Sequence, residues 1–247
     1  MAASGPESAS TDYASLWIQN AAEYQALSRQ VYQAATDALP ALLADPSWSA
    51  LPEQDDAEGL PPAVILDVDE TVVSNIEFQM SYEHPFTNLK MHLFNEANTA
   101  LPIAGVVDFV AFARASGVTV FFVTNRPCEL LEGDPDPCPQ KRSTIQDLAE
   151  IGIAADKDHT FLSSEQDWNR EKSVRRRHVA KTHRILMLFG DDLGDFLPCV
   201  RKKIYAPCTE SASAAGRQQM VDDHERYWGR GWFVLPNPMY GSWTSQP

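Results

Sequence analysis

The carboxylates best placed for chemistry follow two apolar runs of this 247-residue chain. Asp67 and Asp69 come directly after AVIL, and Asp191 and Asp192 come directly after ILMLFG. Carboxylates this close repel each other, and they stay ionised together when a cation lies between them. A lone acid at a strand end often only caps the next helix, but two pairs favour a cation site. Asp67, Asp69 and Asp191 are therefore predicted to bind Mg²⁺, which prefers oxygen ligands.

A carboxylate beside a divalent cation can carry out phosphoryl transfer. Asp67, at the strand end, is the natural nucleophile and would form an aspartyl-phosphate. Asp69, on the turn, can protonate the leaving alkoxide and then activate water. Thr124, at the end of the next strand, offers a hydroxyl and nearby backbone N–H groups to the phosphoryl oxygens.

The transition state of such a reaction also needs a fixed cation opposite the metal. Lys172, in the segment NREKSVRR, is the candidate. A basic helical run is more often a solvated face, but this one lies between two predicted strands. Arg175 and Arg176 are interpreted as surface or supporting residues.

The predicted elements alternate between strands and helices. Such alternation is typical of an α/β fold with a parallel sheet and right-handed crossovers. Ligands of these sheets bind outside the carboxyl ends of the strands, where the polar residues above would meet. Strands are predicted at 63–67, 118–125, 159–163, 184–192 and 232–235, helices at 12–44, 105–117, 141–152, 164–183 in part and 211–228, and short helices and loops at 76–100.

Composition excludes several classes of protein. With 44% hydrophobic residues the chain can build a large core, and its net charge of −14 disfavours a nucleic-acid polymer as partner. The chain contains no run of 18 apolar residues, so no transmembrane segment is predicted. The start, MAASGPESAS, has neither a basic nor an apolar segment of a signal peptide. Residues 1–10 are predicted to be a flexible lead, left after removal of a targeting segment or belonging to a cytosolic protein.

Four cysteines form two short-range pairs. Cys128 and Cys138 flank one loop, and Cys199 and Cys208 flank another. Neither pair has CxxC spacing or neighbouring histidines, which disfavours zinc. Two disulfides, and hence an oxidising compartment, are favoured over four reduced thiols.

The ordered motifs DVDET, VTNR, a lysine and GDDLGDF resemble the phosphatases of the haloacid dehalogenase (HAD) superfamily. The chain is more closely similar to the class C acid phosphatases, the bacterial lipoprotein 5′-nucleotidase family. The similarity includes WIQNAAEYQALSRQVYQAA, FFVTNRP, EKSVRR and the terminal LPNPMYGSW. It implies a Rossmann-like parallel sheet as the HAD core, with a small, mainly helical cap.

The resemblance also implies roles for individual residues. Asp67 would be the nucleophile and Asp69 the general acid and base, with Mg²⁺ bound by Asp67, Asp191 and the Asp69 main-chain carbonyl. Thr124 and Asn125 would hold phosphate, with Lys172 opposite, while Asp195 supports the metal or Lys172. Asp192 stands where relatives often have Asn, which adds negative charge near the cation.

Substrate recognition in the family depends on aromatic residues around the leaving group. By similarity, Phe86, Phe94 and Tyr240 would line a slot for a nucleoside base or an aromatic alcohol, although all three could instead be packing residues of the cap. Phe94 stands where relatives tend to have Trp. Stacking on such rings tolerates many bases.

The resemblance suggests a division of the chain. The HAD core would comprise 61–75 and 101–235, preceded by a helical region at 11–60, with cap and pocket segments at 76–100 and 236–247. The family is usually exported, lipid-anchored through an N-terminal Cys, and dimeric. This chain has no such Cys near its start, so either the lipid-anchoring segment was removed or the protein is a soluble periplasmic relative. The two cysteine pairs favour export in either case, so a periplasmic, outer-membrane-associated or secreted location is predicted, with a cytoplasmic one as alternative. The resemblance also suggests a homodimer.

The predicted function is that of a Mg²⁺-dependent acid phosphatase acting on small phosphate monoesters, nucleoside 5′-monophosphates first. The alternatives are a phosphatase for sugar phosphates or broad substrates and a non-catalytic storage protein on the same fold. Because Asp67, Asp69, Lys172 and Asp191 are all present, the storage alternative is disfavoured.

Overall fold

A five-stranded parallel sheet forms the centre of the molecule. The computed structural model describes residues 12–81, 85–97 and 101–245, so the predicted lead at 1–10 lies outside the described residues. The strands are β1 (Pro62–Leu66), β2 (Val73–Ser74), β3 (Leu101–Pro102), β4 (Thr119–Pro127), β5 (Thr160–Ser163), β6 (Arg184–Gly190) and β7 (Trp232–Val234). The sheet order is β5-β4-β1-β6-β7, and every neighbouring pair is parallel. The predicted α/β fold is confirmed.

Eight α-helices accompany the sheet in the described part of the chain. They are α1 (Tyr13–Asn20), α2 (Ala22–Ala44), α3 (Ile76–Ser81), α4 (Asn88–Glu96), α5 (Val106–Ala115), α6 (Pro139–Glu150), α7 (Lys172–Ala180) and α8 (Ala214–Asp223). The single helix predicted at 12–44 is instead two helices, because Ala21 has extended backbone angles. Nothing in the local sequence marks this break, since alanine is the strongest helix former.

The core lies on both faces of the sheet. β6 is buried along its whole length, as expected for a strand covered on two sides. On one face Tyr32 of α2 stacks on Phe189 at 5.5 Å between ring centroids, and Phe109 of α5 lies 4.7 Å from the same ring. Each such ring contributes roughly 1.5–3 kcal/mol through burial, and together they fix the ends of β1 and β6 where the polar loops begin.

A smaller unit follows the polar loop after β1. β2 and β3 form an antiparallel pair, and α3 and α4 lie between them in the chain. Thr87 caps the start of α4, because its hydroxyl accepts a hydrogen bond from the Lys90 amide at 3.1 Å. This unit forms the wall opposite the polar strand ends.

Both predicted disulfides are present. Cys128 pairs with Cys138 in the loop after β4, and Cys199 pairs with Cys208 in the loop after β6. The backbone N–H of Cys199 donates to the carboxylate of Glu171, the residue before α7, at 3.2 Å. Both cross-links therefore brace loops at the same end of the sheet. Among the described residues no helix has the length and apolar character needed to cross a bilayer.

Candidate active site

Three adjacent strands deliver their polar ends to one place. β1 lies between β4 and β6, and all three run in the same direction. Asp67 and Asp69 follow β1, Thr124 lies near the end of β4, and Asp191 follows β6. The carboxyl ends of neighbouring parallel strands form the usual binding edge of an α/β sheet.

Lys172 joins two of the acids. Its ammonium group lies 2.5 Å from Asp67 Oδ1 and 2.6 Å from Asp195 Oδ1, and the side chain is only 4% exposed. Although burial alone would lower the pKa of Lys172, Asp195 and Asp67 together raise it above its ordinary value. Lys172 therefore remains a fixed positive charge at the centre of the site.

The two arginines beside Lys172 are buried, so the interpretation as surface residues is wrong. They are supporting residues, which was the other interpretation. Arg175 donates to the Thr124 carbonyl and to Asn125 Oδ1, the latter at 2.6 Å. Arg176 donates to three consecutive carbonyls in the loop after β6. Both side chains thus connect the loops. The basic segment is buried because loops cover it and their backbone carbonyls accept hydrogen bonds from its arginines.

Three carboxylates form a cluster that fits a divalent cation. Single oxygen atoms of Asp67, Asp191 and Asp195 all lie within 4.8 Å of one another. Burial, reinforced by Asp195 and Asp67, raises the pKa of Asp191 well above its ordinary value, and burial raises that of Asp67 to about 6. One ammonium group cannot neutralise three ionised carboxylates. A divalent cation would supply the two positive charges that are still needed. An all-oxygen donor set of this kind suits a hard ion.

The Asp69 carboxylate is held apart from this cluster. Arg126 Nη2 and Nε donate to Asp69 Oδ1 at 2.9 and 3.1 Å, and Asn75 Nδ2 donates to the same oxygen at 2.9 Å. The Thr124 hydroxyl approaches Asp69 Oδ2 at 3.4 Å. Burial alone would raise the pKa of Asp69, but Arg126 and these donors hold it below its ordinary value.

The same guanidinium binds a second acid. Arg126 Nη1 lies 2.5 Å from Asp147 Oδ2 of α6; the side chains of Arg126 and Asp147 are buried, whereas that of Asp69 is 19% exposed. Burial raises the pKa of Asp147 to about 6 despite Arg126, because Asp147 lacks further donors like those that Asp69 has. Arg126 is therefore fixed from behind while it orients Asp69.

The loop after β6 is held by its own acids. Asp192 Oδ1 accepts from the Gly194 amide at 2.8 Å, and Asp192 Oδ2 accepts from the Ser242 amide. Asp195 Oδ2 accepts from the Asp192 amide at 3.0 Å, which completes a capping box. A Cβ on Gly190 would overlap the Asp195 side chain, so glycine is required there. Asp192 thus acts as a structural anchor rather than as part of the carboxylate cluster.

The segment after β7 closes the site from the other side. Asn237 Nδ2 donates to Asp191 Oδ2 at 2.7 Å, and the Tyr240 hydroxyl donates to Glu70 Oε1 at 3.2 Å. Glu70 also accepts from the Asn75 amide at 2.7 Å. Burial raises the pKa of Glu70 to about 8, so at neutral pH it carries little of the negative charge that its neighbours carry.

A cavity of about 410 Å³ opens in front of the acids. Of the three aromatic residues predicted to line a slot, Phe86 and Tyr240 border this cavity. Phe94 does not, because its ring packs on Phe78 at 5.4 Å. Asn125 borders it as well. The lining also includes Asp67, Asp69, Gln79, Asn88, Met91, His92, Asn95, Arg126, Gln140, Arg170, Lys172, Asp191, Asp192, Asp195 and Arg201.

Sequence reasoning missed several residues of this site. Arg126 could have been found, since it directly follows Asn125 in VTNR at the end of a catalytic strand. Asn75 and Asn237 could not, because a lone Asn in a loop carries no signal of its partner. Asp147 lies in the middle of a helix and contacts the site only through the fold.

Comparison with known proteins agrees with this geometry. The family HAD superfamily, subfamily IIIB (Acid phosphatase) matches residues 3–243. The structure of the class C acid phosphatase from Bacillus anthracis superimposes with a TM-score of 0.72 at 28% identity, over 93% of this chain and 84% of that one. A crystal structure of that phosphatase with tungstate bound gives a TM-score of 0.73 at 29% identity, with the same coverage. The resemblance inferred from the motifs is confirmed: the chain belongs to the acid phosphatases of HAD subfamily IIIB and is a phosphomonoesterase.

Proposed function

We propose that this phosphomonoesterase is Mg²⁺-dependent and hydrolyses small phosphate monoesters, nucleoside 5′-monophosphates first, through an aspartyl-phosphate on Asp67. One observation carries the proposal. Asp67 and Asp195 share the Lys172 ammonium group at 2.5 and 2.6 Å, inside a buried carboxylate cluster that borders the cavity. A nucleophile, a fixed cation and a candidate metal site are thus adjacent.

Phosphatases of the HAD superfamily use a divalent metal ion, and the oxygen donors here favour Mg²⁺. Asp67, Asp191 and the Asp69 main-chain carbonyl would hold it, with Asp195 in support. When bound, the ion neutralises the carboxylates and the phosphoryl oxygens. The donor set includes no nitrogen or sulfur ligand, which disfavours zinc.

In the first step a carboxylate oxygen of Asp67 attacks phosphorus, and the ester P–O bond breaks. Asp69 acts as the general acid in this step and gives a proton to the leaving alkoxide. Lys172 offsets the charge of the phosphoryl oxygens, and Thr124 and Asn125 donate hydrogen bonds to them. The products are a free alcohol and an acyl phosphate on Asp67.

In the second step water attacks the acyl phosphate, and Asp69, now ionised, accepts its proton. The bond between Asp67 and phosphorus breaks, which releases inorganic phosphate and restores the Asp67 carboxylate. Arg126 holds Asp69 in one orientation in both steps. Since tungstate is a tetrahedral oxyanion like phosphate, the tungstate-bound relative supports the binding of an oxyanion by this protein.

The leaving group would occupy the cavity in front of these residues. Phe86 and Tyr240 line it and offer faces on which a base can stack. Phe94 would act indirectly, because its ring packs on Phe78 and Phe78 contacts Phe86 at 6.1 Å between centroids.

A substrate panel tests this function. We expect hydrolysis of 5′-AMP, 3′-AMP, nicotinamide mononucleotide and glucose 6-phosphate to stop with EDTA and to return with Mg²⁺, with the highest kcat/KM for the 5′-nucleotides. Retained activity in EDTA would contradict the metal site. Equal kcat/KM for all four esters, or preference for glucose 6-phosphate, would favour the broad or sugar-phosphate alternative.

The two disulfides support an oxidising location, periplasmic, outer-membrane-associated or secreted. Titration of the unreduced protein with a thiol reagent is expected to find no free thiol before reduction and four after it. Four free thiols in the native protein would favour the cytoplasm. The homodimer suggested by the family resemblance stays a prediction, for which sedimentation equilibrium is the measurement.

A further inference from the structure

The helix α4 presents three polar side chains, Asn88, His92 and Asn95, to the cavity and its leucines to solvent. Asn88, Met91, His92 and Asn95 recur at spacings of three and four, which is one face of a helix, and all four border the cavity. On the opposite face Leu89 and Leu93 are 53% and 57% exposed. An ordinary amphipathic helix does the reverse, so the inward stripe is arranged to meet something polar.

Two residues of this stripe have buried atoms without a hydrogen-bond partner. His92 and Asn95 are 4% and 3% exposed. Among the residues that the structure describes, His92 Nδ1 and Asn95 Oδ1 make no hydrogen bond. Leaving such atoms unpaired destabilises a protein, and native structures do so rarely.

The cavity distinguishes these two atoms from other unpaired ones. Ten buried side-chain atoms in the described ranges have no partner, and only His92 and Asn95 among their residues border the cavity. His92 Nε2 already has a neighbour, Glu96 Oε1 at 3.5 Å. That contact occupies Nε2, so Nδ1 is the ring nitrogen that lacks a partner among the described residues.

We infer that the inward stripe of α4 recognises the leaving group by hydrogen bonding, with His92 and Asn95 as the residues that determine specificity. This inference rests on the proposed function, since it concerns the alcohol released from the ester. The Asn95 amide has one acceptor and two donors, and a neutral imidazole nitrogen can donate or accept. The matching ligand has a donor and an acceptor side by side, such as the amide edge of a nucleobase.

The aromatic rings and the helix α4 would therefore recognise the leaving group through different interactions. Phe86 and Tyr240 contribute stacking, which accepts any flat ring, whereas hydrogen-bonding groups reject an analogue that leaves them unpaired. A simple aryl phosphate can stack on the rings but cannot form hydrogen bonds with the inward side chains of α4. Discrimination between nucleotides and aryl phosphates is therefore expected to depend on α4 rather than on the acids.

The test compares two kinds of substrate on matched variants. Asn95→Leu and His92→Phe keep the approximate size of each side chain and remove its hydrogen-bonding atoms, while Leu89→Gln on the outer face is the control. We expect each inner variant to lower kcat/KM for 5′-AMP and 5′-UMP about tenfold or more. Phenyl phosphate should change by less than about twofold, and the control should change neither.

Thermal melting supplies a second readout. Replacing an unpaired polar atom by an apolar one is nearly neutral or stabilising, so Tm of Asn95→Leu should equal or exceed that of the wild type. Selective loss on nucleotides without a fall in Tm supports the inference. Equal loss on both substrate kinds, a fall in Tm of several degrees with no change in selectivity, or unchanged selectivity in both inner variants would overturn it.

The wild type distinguishes this inference from the proposed function. If the wild type hydrolyses phenyl phosphate and nucleotides with equal kcat/KM, the role of α4 is wrong but the phosphatase stands. If it hydrolyses neither with Mg²⁺ present, the proposed function fails, and the inference fails with it.

Discussion

The catalytic edge of the sheet and the inner face of α4 border the same cavity but are built in opposite ways. At the edge both cations are already paired: Lys172 lies between Asp67 and Asp195, and Arg126 lies between Asp69 and Asp147. On α4, His92 Nδ1 and Asn95 Oδ1 have none among the described residues.

The difference indicates what each region does. Reacting groups benefit from being fixed before the substrate arrives, because no reorganisation is then needed in the transition state. Recognition groups must have unused hydrogen-bonding capacity, because only that capacity can be given to the substrate. Variants at the edge should therefore lower turnover of all substrates alike, and variants on α4 should change the choice between substrates.

The largest effect is expected from Asp67→Asn. An amide cannot serve as the nucleophile, so kcat for p-nitrophenyl phosphate should fall by about 10⁴-fold or more, and equally for nucleotides. The fold should persist, since Asn fits the same space. Asp55→Asn, an exposed acid in the loop before β1, is the matched control. Near-wild-type turnover of the Asp67 variant would show that Asp67 is not the nucleophile. It would also contradict the assignment of catalysis to this edge.

A smaller effect is expected from Arg126→Met, which keeps the length of the side chain and removes its charge. Without the guanidinium, Asp69 loses the donors that orient it, and kcat should fall about 10²-fold for aryl and nucleotide substrates alike. The buried carboxylate of Asp147 would also lose its partner, which costs about 3–5 kcal/mol of unfolding free energy.

The double variant Arg126→Met/Asp147→Asn separates these two effects. It removes one unpaired acid, so part of the lost stability should return while kcat stays low. Urea unfolding and steady-state kinetics provide the two measurements. If kcat recovers together with stability, Arg126 acts only through folding and does not position Asp69.

Much of the catalytic edge could be predicted because its signals are local in the chain. An apolar run followed by DVDE predicts a buried strand that ends in acids, and alternation with helices places such ends together. The aromatic pair Phe86 and Tyr240 came from resemblance to a family, and the structure places both at the cavity.

The rest depends on contacts between distant segments. The buried positions of Arg175 and Arg176 follow from loops that reach over α7, which a basic helical pattern cannot show. The polar stripe of α4 has ordinary helical spacing. Only the position of the cavity shows that Asn95 faces inward and Leu93 faces solvent.

The smallest effect concerns Asp147, the acid that shares Arg126 but has no role in the reaction. Its pKa is raised to about 6 in the folded state because burial outweighs Arg126. Between about pH 4 and 6 the folded protein therefore retains a proton that the unfolded chain has lost, so this group makes stability fall as pH rises through that window. Asp147→Asn removes the titration, and the stability difference between variant and wild type should grow in favour of the variant by about 2–3 kcal/mol from pH 4 to 7. Denaturant midpoints across this range measure it, with Asp55→Asn as control. Parallel profiles would mean that Arg126 keeps Asp147 ionised as firmly as Asp69, and that the two acids on this guanidinium are equivalent.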